Sequence, residues 1–537
     1  MIIEHSAGPW QAETKYAYDS TYSFPITTIS AVDDQTSLTT TASYDYGVGK
    51  AIFETEPNGH ITAHRFDVLG REIETSEGDN PNSMIVIEKR EYTLLDRQPV
   101  CIRDTLCDLS SDSWSRETEY LDGMERTWKK AVPGVSPSVT VYSESLSDGA
   151  GRVIRQYRDY TNDASKVYTA LSYDTSSRIA KIISPPVTPD VDPVTITYDY
   201  SYRTDQAIIT QTKSSAGEGD DTVTQTVLQY FPHTDINSSQ YVVPLAVSSV
   251  DEVGHSVTSS FDALHRLVTV TDPNGVRVSQ QWDSLSRLTS RKVSNPQGMG
   301  PSCISNISLE YDDPNAKVTI TNECTGVRTD LLKDRLGRLI ERTSPDEVLS
   351  LTYDNVKAGA QGRLSSATSS KGVSEAFSYD GRGCTNSSSL TVDGQTFTTS
   401  FEYTASRQLS KIANPDHSVL SRTFFPNSDI VNHIELQDHT ANSSVSSMFS
   451  DLDNAFLSPR VCDMGNGVKS TVTTAENGVP VKAILSKGST TLHEQSWKLN
   501  SYSRLQTYNP SSSESTNRSY QYNPAGKWFY PIRIYHD

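Results

Sequence analysis

The amino-acid sequence predicts an all-β chain, a long antiparallel ribbon of β-hairpin repeats. Three observations carry this expectation. First, one phrase is written twice: Tyr44-Asp45, Glu56-Pro57-Asn58-Gly59 and Phe66-Asp67-Val68-Leu69-Gly70-Arg71 are echoed by Phe261-Asp262-Ala263-Leu264-His265-Arg266, Asp272-Pro273-Asn274-Gly275 and Trp282-Asp283-Ser284-Leu285-Ser286-Arg287. Self-similarity of this kind marks a repeat architecture. Second, the segments between these turns alternate β-branched or aromatic residues with polar ones, as in Ser256-Val257-Thr258-Ser259-Ser260-Phe261, which is the half-buried strand pattern. Third, no stretch combines helix caps with a 3.6-residue apolar period.

Each element of the repeat has a physical reason. Asn-Gly supplies the positive φ values that tight hairpins need, and the preceding Pro57 or Pro273 presets the turn. Gly59 and Gly275 close those turns; Gly70, Gly151 and Gly337 serve the other turn. His265, Ser286 and Glu125 stand where that second glycine would be; His tolerates positive φ, whereas Ser and Glu suggest a changed turn type. The aromatic residue of each aromatic-Asp pair is expected on one face of the sheet beside those of neighbouring units. The Asp faces the other way and bonds turn amides. Further copies are Tyr173-Asp174 to Arg178, Asp334 to Gly337-Arg338-Leu339, Tyr353-Asp354 to Gly362-Arg363, Tyr379-Asp380-Gly381-Arg382, and Tyr403 to Arg407. Seams or insertions are expected at 184–189, 214–221, 295–301 and 511–514, where Pro, Gly and Ser cluster.

Composition narrows the function classes. The 537 residues carry a formal net charge of -19, with no Lys/Arg cluster, which argues against nucleic-acid or anionic-lipid binding. Hydrophobic content of 35% and a mean hydropathy of -0.50 are low for a compact two-layer domain, and no run reaches the roughly 18 apolar residues of a membrane helix. Tyr outnumbers Phe by 27 to 13, which suits a sheet with a wet face. The start, Met1-Ile2-Ile3-Glu4-His5, has no basic segment leading into an apolar one, so export is expected by another route or as part of a longer parent. Six cysteines (Cys101, Cys107, Cys303, Cys324, Cys384, Cys462) are too sparse for a disulfide framework; free or buried thiols are the default, with a Cys101–Cys107 bridge the alternative. Sequons at Asn237, Asn306, Asn386, Asn442 and Asn517 are close to a composition effect.

The repeat resembles the YD repeat of the Rhs family, roughly Tyr-Asp-x-x-Gly-Arg-Leu followed by Pro-x-Gly. The residues that carry the motif are Tyr44, Asp45, Pro57, Gly59, Phe66, Asp67, Gly70, Arg71, Phe261, Asp262, Arg266, Pro273, Gly275, Trp282, Asp283, Arg287, Gly337, Arg338, Tyr353, Asp354, Tyr379 and Asp380. Together with Tyr18-Asp19 and Tyr22-Ser23-Phe24-Pro25, their order is similar to the Rhs-containing region of the B component of insecticidal Tc toxin complexes. The resemblance implies a ribbon curling into a hollow or partial shell around an unfolded toxic polypeptide, so the implied partners are a toxin cargo or a complementary Tc-like component. It divides the chain into 1–180 (N-terminal, Tc-B-like), 181–250 (irregular linker or insertion), 251–430 (central YD repeats) and 431–537 (divergent repeats). The family's self-cleaving core motif and the preceding propeller are not recognisable, which reads as a fragment, a split gene, or one wall segment.

Motifs for chemistry are absent: no Gly-x-Ser-x-Gly, His-Glu-x-x-His or phosphate-binding glycine loop occurs. His60 and His64 have the spacing of a helical zinc site, but in a strand four residues span about 13 Å, so two surface histidines are expected. His433 and His439 are farther apart. The pairs Asp220-Asp221 and Asp312-Asp313 read as solvated turns, weak calcium contacts being the alternative. The expectation is therefore a non-catalytic, secreted structural shell without cofactor or metal. The alternative is an extracellular carbohydrate- or cell-surface-binding module, in which exposed aromatics such as Trp282 would stack on glycans.

Overall fold

The computed structural model describes residues 2–6, 13–109, 112–134, 139–186, 191–202, 206–215, 222–230, 244–251, 254–295, 305–438, 443–453, 458–464, 466–474, 480–499, 505–510, 518–522 and 528–532. Asn237, Cys303, His439, Asn442, Asn517 and Asp220-Asp221 lie outside them, as do most of the expected seams at 216–221, 296–301 and 511–514. Among the described residues, strands are interrupted only by turns and three single-turn 3-10 helices, at Asp163–Ser165, Asp313–Asn315 and Val356–Ala358. Within the two units described below, the strand pairings are antiparallel and join sequence neighbours. Thus Lys50–Thr55 pairs with Ile61–Phe66, which pairs with Glu72–Gly78, and Leu267–Thr271 pairs with Arg277–Trp282, which pairs with Leu288–Ser294. This is the hairpin ribbon that the sequence pattern predicts.

The Pro-Asn-Gly turns and the YD turns use one backbone scheme. In Glu56-Pro57-Asn58-Gly59-His60 the amide of Glu56 donates to the carbonyl of His60 and the Gly59 amide donates to the Glu56 carbonyl. Asp67-Val68-Leu69-Gly70-Arg71 repeats the same two bonds. Only the fourth residue is left-handed, with φ of 90° at Gly59 and 74° at Gly70. Asn58 therefore need not take positive φ: the loop is a three-residue turn closed by one left-handed residue, not the two-residue turn with two. Glu125, His265 and Ser286 adopt φ of 60°, 61° and 62° with the same bonds. The turn type is unchanged where glycine is missing, contrary to the expectation for Ser and Glu, because the hydrogen-bonded frame holds the backbone in place.

The two turn edges differ in register. One pair inward from the YD turns the register slips by a residue: Arg65 opposes Glu74 while Phe66 opposes Glu72, and Gln281 opposes Ser290 while Trp282 opposes Leu288. At the Pro-Asn-Gly turns the pairing runs unbroken into Thr55–Ile61 and Thr271–Arg277. A bulge bends and twists its strand, so bulges repeated at one edge bias the ribbon to curl.

The chain forms two compact units, one of residues 1–138 with 309–448 and one of residues 139–308 with 449–537. Neither has a thick core. In the first, buried residues gather near turns, including Val32, His60, Ile61, Glu77, Leu106, Cys107, Asp334 and Ala360; in the second the set is Val141, Tyr160, Val194, Ala207 and Leu499 among the apolar residues. Cys101 and Cys107 are buried and free, as are the half-buried thiols Cys384 and Cys462. Cys324 is disulfide-bonded, which corrects the default of free thiols at that position.

A left-handed L-residue is strained by about 1 kcal/mol, so Ser286→Gly is expected to stabilise the chain by about that amount and Gly337→Ala to destabilise it comparably. Chemical denaturation of the two variants checks this; a destabilising Ser286→Gly would show that its side chain, not its backbone, matters.

Candidate functional site

The YD motif is a stitch between consecutive hairpins. Its Asp comes first: in Asp67 one carboxylate oxygen accepts the amides of Leu69 and Arg71, both at 2.9 Å, while the other accepts Arg71 Nε at 2.8 Å. The same clasp recurs at Asp122–Arg126, Asp148–Arg152, Asp174–Arg178, Asp262–Arg266, Asp283–Arg287 and Asp334–Arg338. The turn brings residues four apart together, so a short side chain can serve turn and guanidinium at once.

The clasped arginine then lies over the aromatic ring of the next unit. Arg71 sits 4.2 Å from the Tyr92 centroid, Arg152 4.7 Å from Tyr173, Arg178 4.2 Å from Tyr200 and Arg338 4.4 Å from Tyr353. The ring's polar end reaches back to the carbonyl just past that arginine. Tyr173 donates to Val153 at 2.7 Å, Tyr353 to Leu339 at 2.8 Å and Trp282 Nε1 to Leu267 at 2.8 Å. At Tyr173, Tyr200 and Tyr353 an Asp-held cation thus meets a ring that is itself hydrogen-bonded, and burial pushes the phenols of Tyr200 and Tyr353 up. Trp282 is half-buried in this arrangement.

Several motif copies align differently in space than in sequence. In Tyr44-Asp45 the turn is one residue longer, Asp45 accepts the Gly47 amide at 2.7 Å, and Lys50 takes the cation's place, 5.1 Å from the Phe66 centroid. In Tyr379-Asp380 the amide that Asp380 accepts belongs to Cys384, at 2.8 Å. Arg382 stands at the turn tip and donates to the Thr404 and Ala405 carbonyls. In the next turn Thr404 replaces Asp and accepts the Gln408 amide at 3.0 Å, while Arg407 holds the left-handed position with φ of 62°. Asp354 is also left-handed, with φ of 65°, and accepts both Gly362 N and the Arg338 guanidinium. Phe261 opposes Leu267 at the same bulge as the other motif aromatics.

Arginines at these turns also have partners that sequence spacing does not show. Within the first unit the YD-turn edge of residues 334–429 abuts the opposite turn edge of residues 32–113. The Arg335 amide donates to the Val32 carbonyl at 3.2 Å and its guanidinium pairs with Asp34. Arg363 lies 3.6 Å from Glu56, Asn58 donates to the Gly381 carbonyl at 3.0 Å, and Arg407 pairs with Glu77 at 2.5 Å. Ser113 and Asn427 close the line. One edge offers carboxylates and the other guanidinium groups. The signal was present as Arg335 where other turns carry Val68, Gly123 or Ala263 and as Arg407 where others carry Gly70 or Gly337, but nothing in a single chain position reveals which distant turn it meets.

His60 is not a surface residue. It is 3% exposed, with Nδ1 3.0 Å from Asp79 and Nε2 3.7 Å from Glu77. His64 is half-buried, with Nδ1 2.5 Å from Glu72. Asp312 accepts the Asn315 side-chain amide. No group of three or more metal-ligating side chains is assembled among the described residues, and no helix there is long and apolar enough to cross a membrane.

A one-layer antiparallel ribbon, stitched unit to unit and seamed edge to edge, defines a YD-repeat architecture. The RHS Repeat family model matches residues 261–298, the stretch with the regular clasps at Asp262 and Asp283, and no curated protein matches the chain. Among solved structures, the crystal structure of TcdB2-TccC3 matches 97% of this chain at a TM-score of 0.73 and 13% identity. A Photorhabdus luminescens Tc holotoxin pore matches 98% at 0.73 and 12% identity, and TcdB2-TccC3-TEV 98% at 0.62 and 12%. This chain spans 30% to 32% of the length of those chains. The protein carries Rhs/YD repeats and has the all-β fold of these Tc toxin components.

The clasp makes stability depend on acid. Hydrogen bonds from Arg126 hold Asp122 down to about 2. The partner arginines likewise lower Asp148, Asp174 and Asp262 through their side chains first, and Asp67 and Asp283 through their backbone amides first. A carboxylate depressed in the folded state stabilises it above the unfolded value of about 4 and loses that contribution as pH falls through the folded value. Thermal melts are expected to drop steeply between about pH 4 and pH 2, with a shallower slope in Asp122→Asn. Glu77→Gln is expected to cost about 1–2 kcal/mol, and raising NaCl to 1 M should narrow its gap from the parent in denaturation experiments.

Proposed function

We propose that the chain is a wall segment of a Tc/Rhs-like toxin shell that encapsulates or chaperones a toxic polypeptide and carries out no chemistry itself. The observation that carries this reading is the charge-matched seam of the first unit: distant passes of one ribbon lie edge to edge, joined by Arg335, Arg363 and Arg407 to Asp34, Glu56 and Glu77. Passes joined in this way extend a sheet sideways without a core on either face, which is what a wall requires. The clasped aromatics supply its cohesion along the ribbon, and the likeness in fold to TcdB2-TccC3 supports the same use. The reading places the protein outside the cell that makes it, with a toxin cargo or a complementary Tc-like chain as partner.

Single-particle electron microscopy of the purified chain tests the proposal. A curved wall bordering an empty lumen is expected, together with protease protection of a co-expressed unfolded polypeptide; a solid rod or compact particle that leaves the polypeptide open to digestion would sink it.

A further inference from the structure

One cleft of the first unit is not accounted for by wall building. It has a volume of about 700 Å³ and lies at the seam, bounded by residues 60–87 and 108–109 on one edge and by residues 380–382 and 403–405 on the other. His60 lines it and is only 3% exposed. Its Nδ1 lies 3.0 Å from Asp79; in the tautomer that donates its proton there, Nε2 is an acceptor. Nε2 has no hydrogen-bond partner, and what faces it, at 3.7 Å, is a carboxylate oxygen of Glu77. In that tautomer two acceptors face each other in a buried place with no donor between them.

From this geometry we propose that the cleft binds a primary alkylammonium group, whose N–H donors bridge His60 Nε2 and Glu77. Three further carboxylates, Asp79, Asp108 and Asp380, line the same cleft against the single guanidinium of Arg382, so the site favours a cation. Arg407 already holds the other oxygen of Glu77, leaving Oε2 toward His60. The ligand is organic: Ile85 and Leu109, both exposed, line the cleft with Ile87 and Tyr403 and would cover a methylene chain. Metal-ligand groups of three or more do not occur among the described residues. Gly381 belongs to the design as well. A Cβ there would lie 2.7 Å from both carboxylate oxygens of Asp79, so glycine is what allows Asp79 to sit beside His60. The inference stands independently of encapsulation.

The test is isothermal titration of the full chain, at constant ionic strength, with 1,5-diaminopentane, with Nα-acetyl-lysine amide and with the same amide acetylated at Nε. Saturable one-to-one binding of the first two and none of the third is expected. Asp79→Asn and Gly381→Ala should each weaken binding by roughly tenfold, the scale of one charge-assisted hydrogen bond, with unchanged circular dichroism. Gly381→Ala retains every charge, and Asp79 is exposed enough to swing away from the new methyl group. Tighter binding of the diamine identifies a free polyamine as the ligand, and tighter binding of the lysine amide a lysine side chain of a polypeptide; both support the site. Equal binding of the Nε-acetylated amide, no saturable heat, or affinities unchanged in both folded variants would overturn it.

Discussion

The contact between an Asp-held arginine and the aromatic ring of the next hairpin is the interaction on which this molecule depends. A single-layer ribbon cannot bury apolar surface between two sheets, so each hairpin must be tied to the next by other means. Arg338 shows how completely one side chain does this. Asp334 holds its Nε at 2.6 Å, Asp354 takes the far end of the guanidinium, and Tyr353 packs beneath it with its hydroxyl on the Leu339 carbonyl. The motif letters recur because each makes part of this arrangement, and no letter makes it alone.

Sheet edges are the usual hazard of all-β proteins, and here the exposed margins of the ribbon are turns, not open strands. The first unit uses those turns as its joining surfaces. Carboxylates at Asp34, Glu56 and Glu77 meet guanidinium groups at Arg335, Arg363 and Arg407, so the turns brought together carry matched charges. Arg407 adopts a left-handed backbone at a position where glycine is easier, a conformational cost offset by its pairing with the nearly buried Glu77.

Local chemistry was readable wherever the sequence neighbours were also the structural partners. The hairpins, the glycine at φ of 74° in Asp67–Arg71 and the turn-capping role of Asp67 all involve residues within four positions of each other. Readings failed where a hydrogen-bonded frame overrode residue preference, as at Ser286 and Glu125, or where similar letters occupied different slots. Arg382 and Arg407 look like clasp arginines by spacing, yet Cys384 and Gln408 hold that slot. His60 was misplaced for another reason: its burial comes from the edge contact near Asn58 and Gly381, which no local pattern encodes.

The sequence by itself determined the strands, their hairpin pairing and the repeating stitch, because alternation, turn residues and the Asp–Arg spacing act over a few residues and do not wait for the rest of the chain. Tertiary structure alone decided the seam, the burial of His60 and the cleft beside it. Those depend on how much each bulged hairpin turns the ribbon, and small rotations summed over many hairpins select which distant turns come to lie side by side.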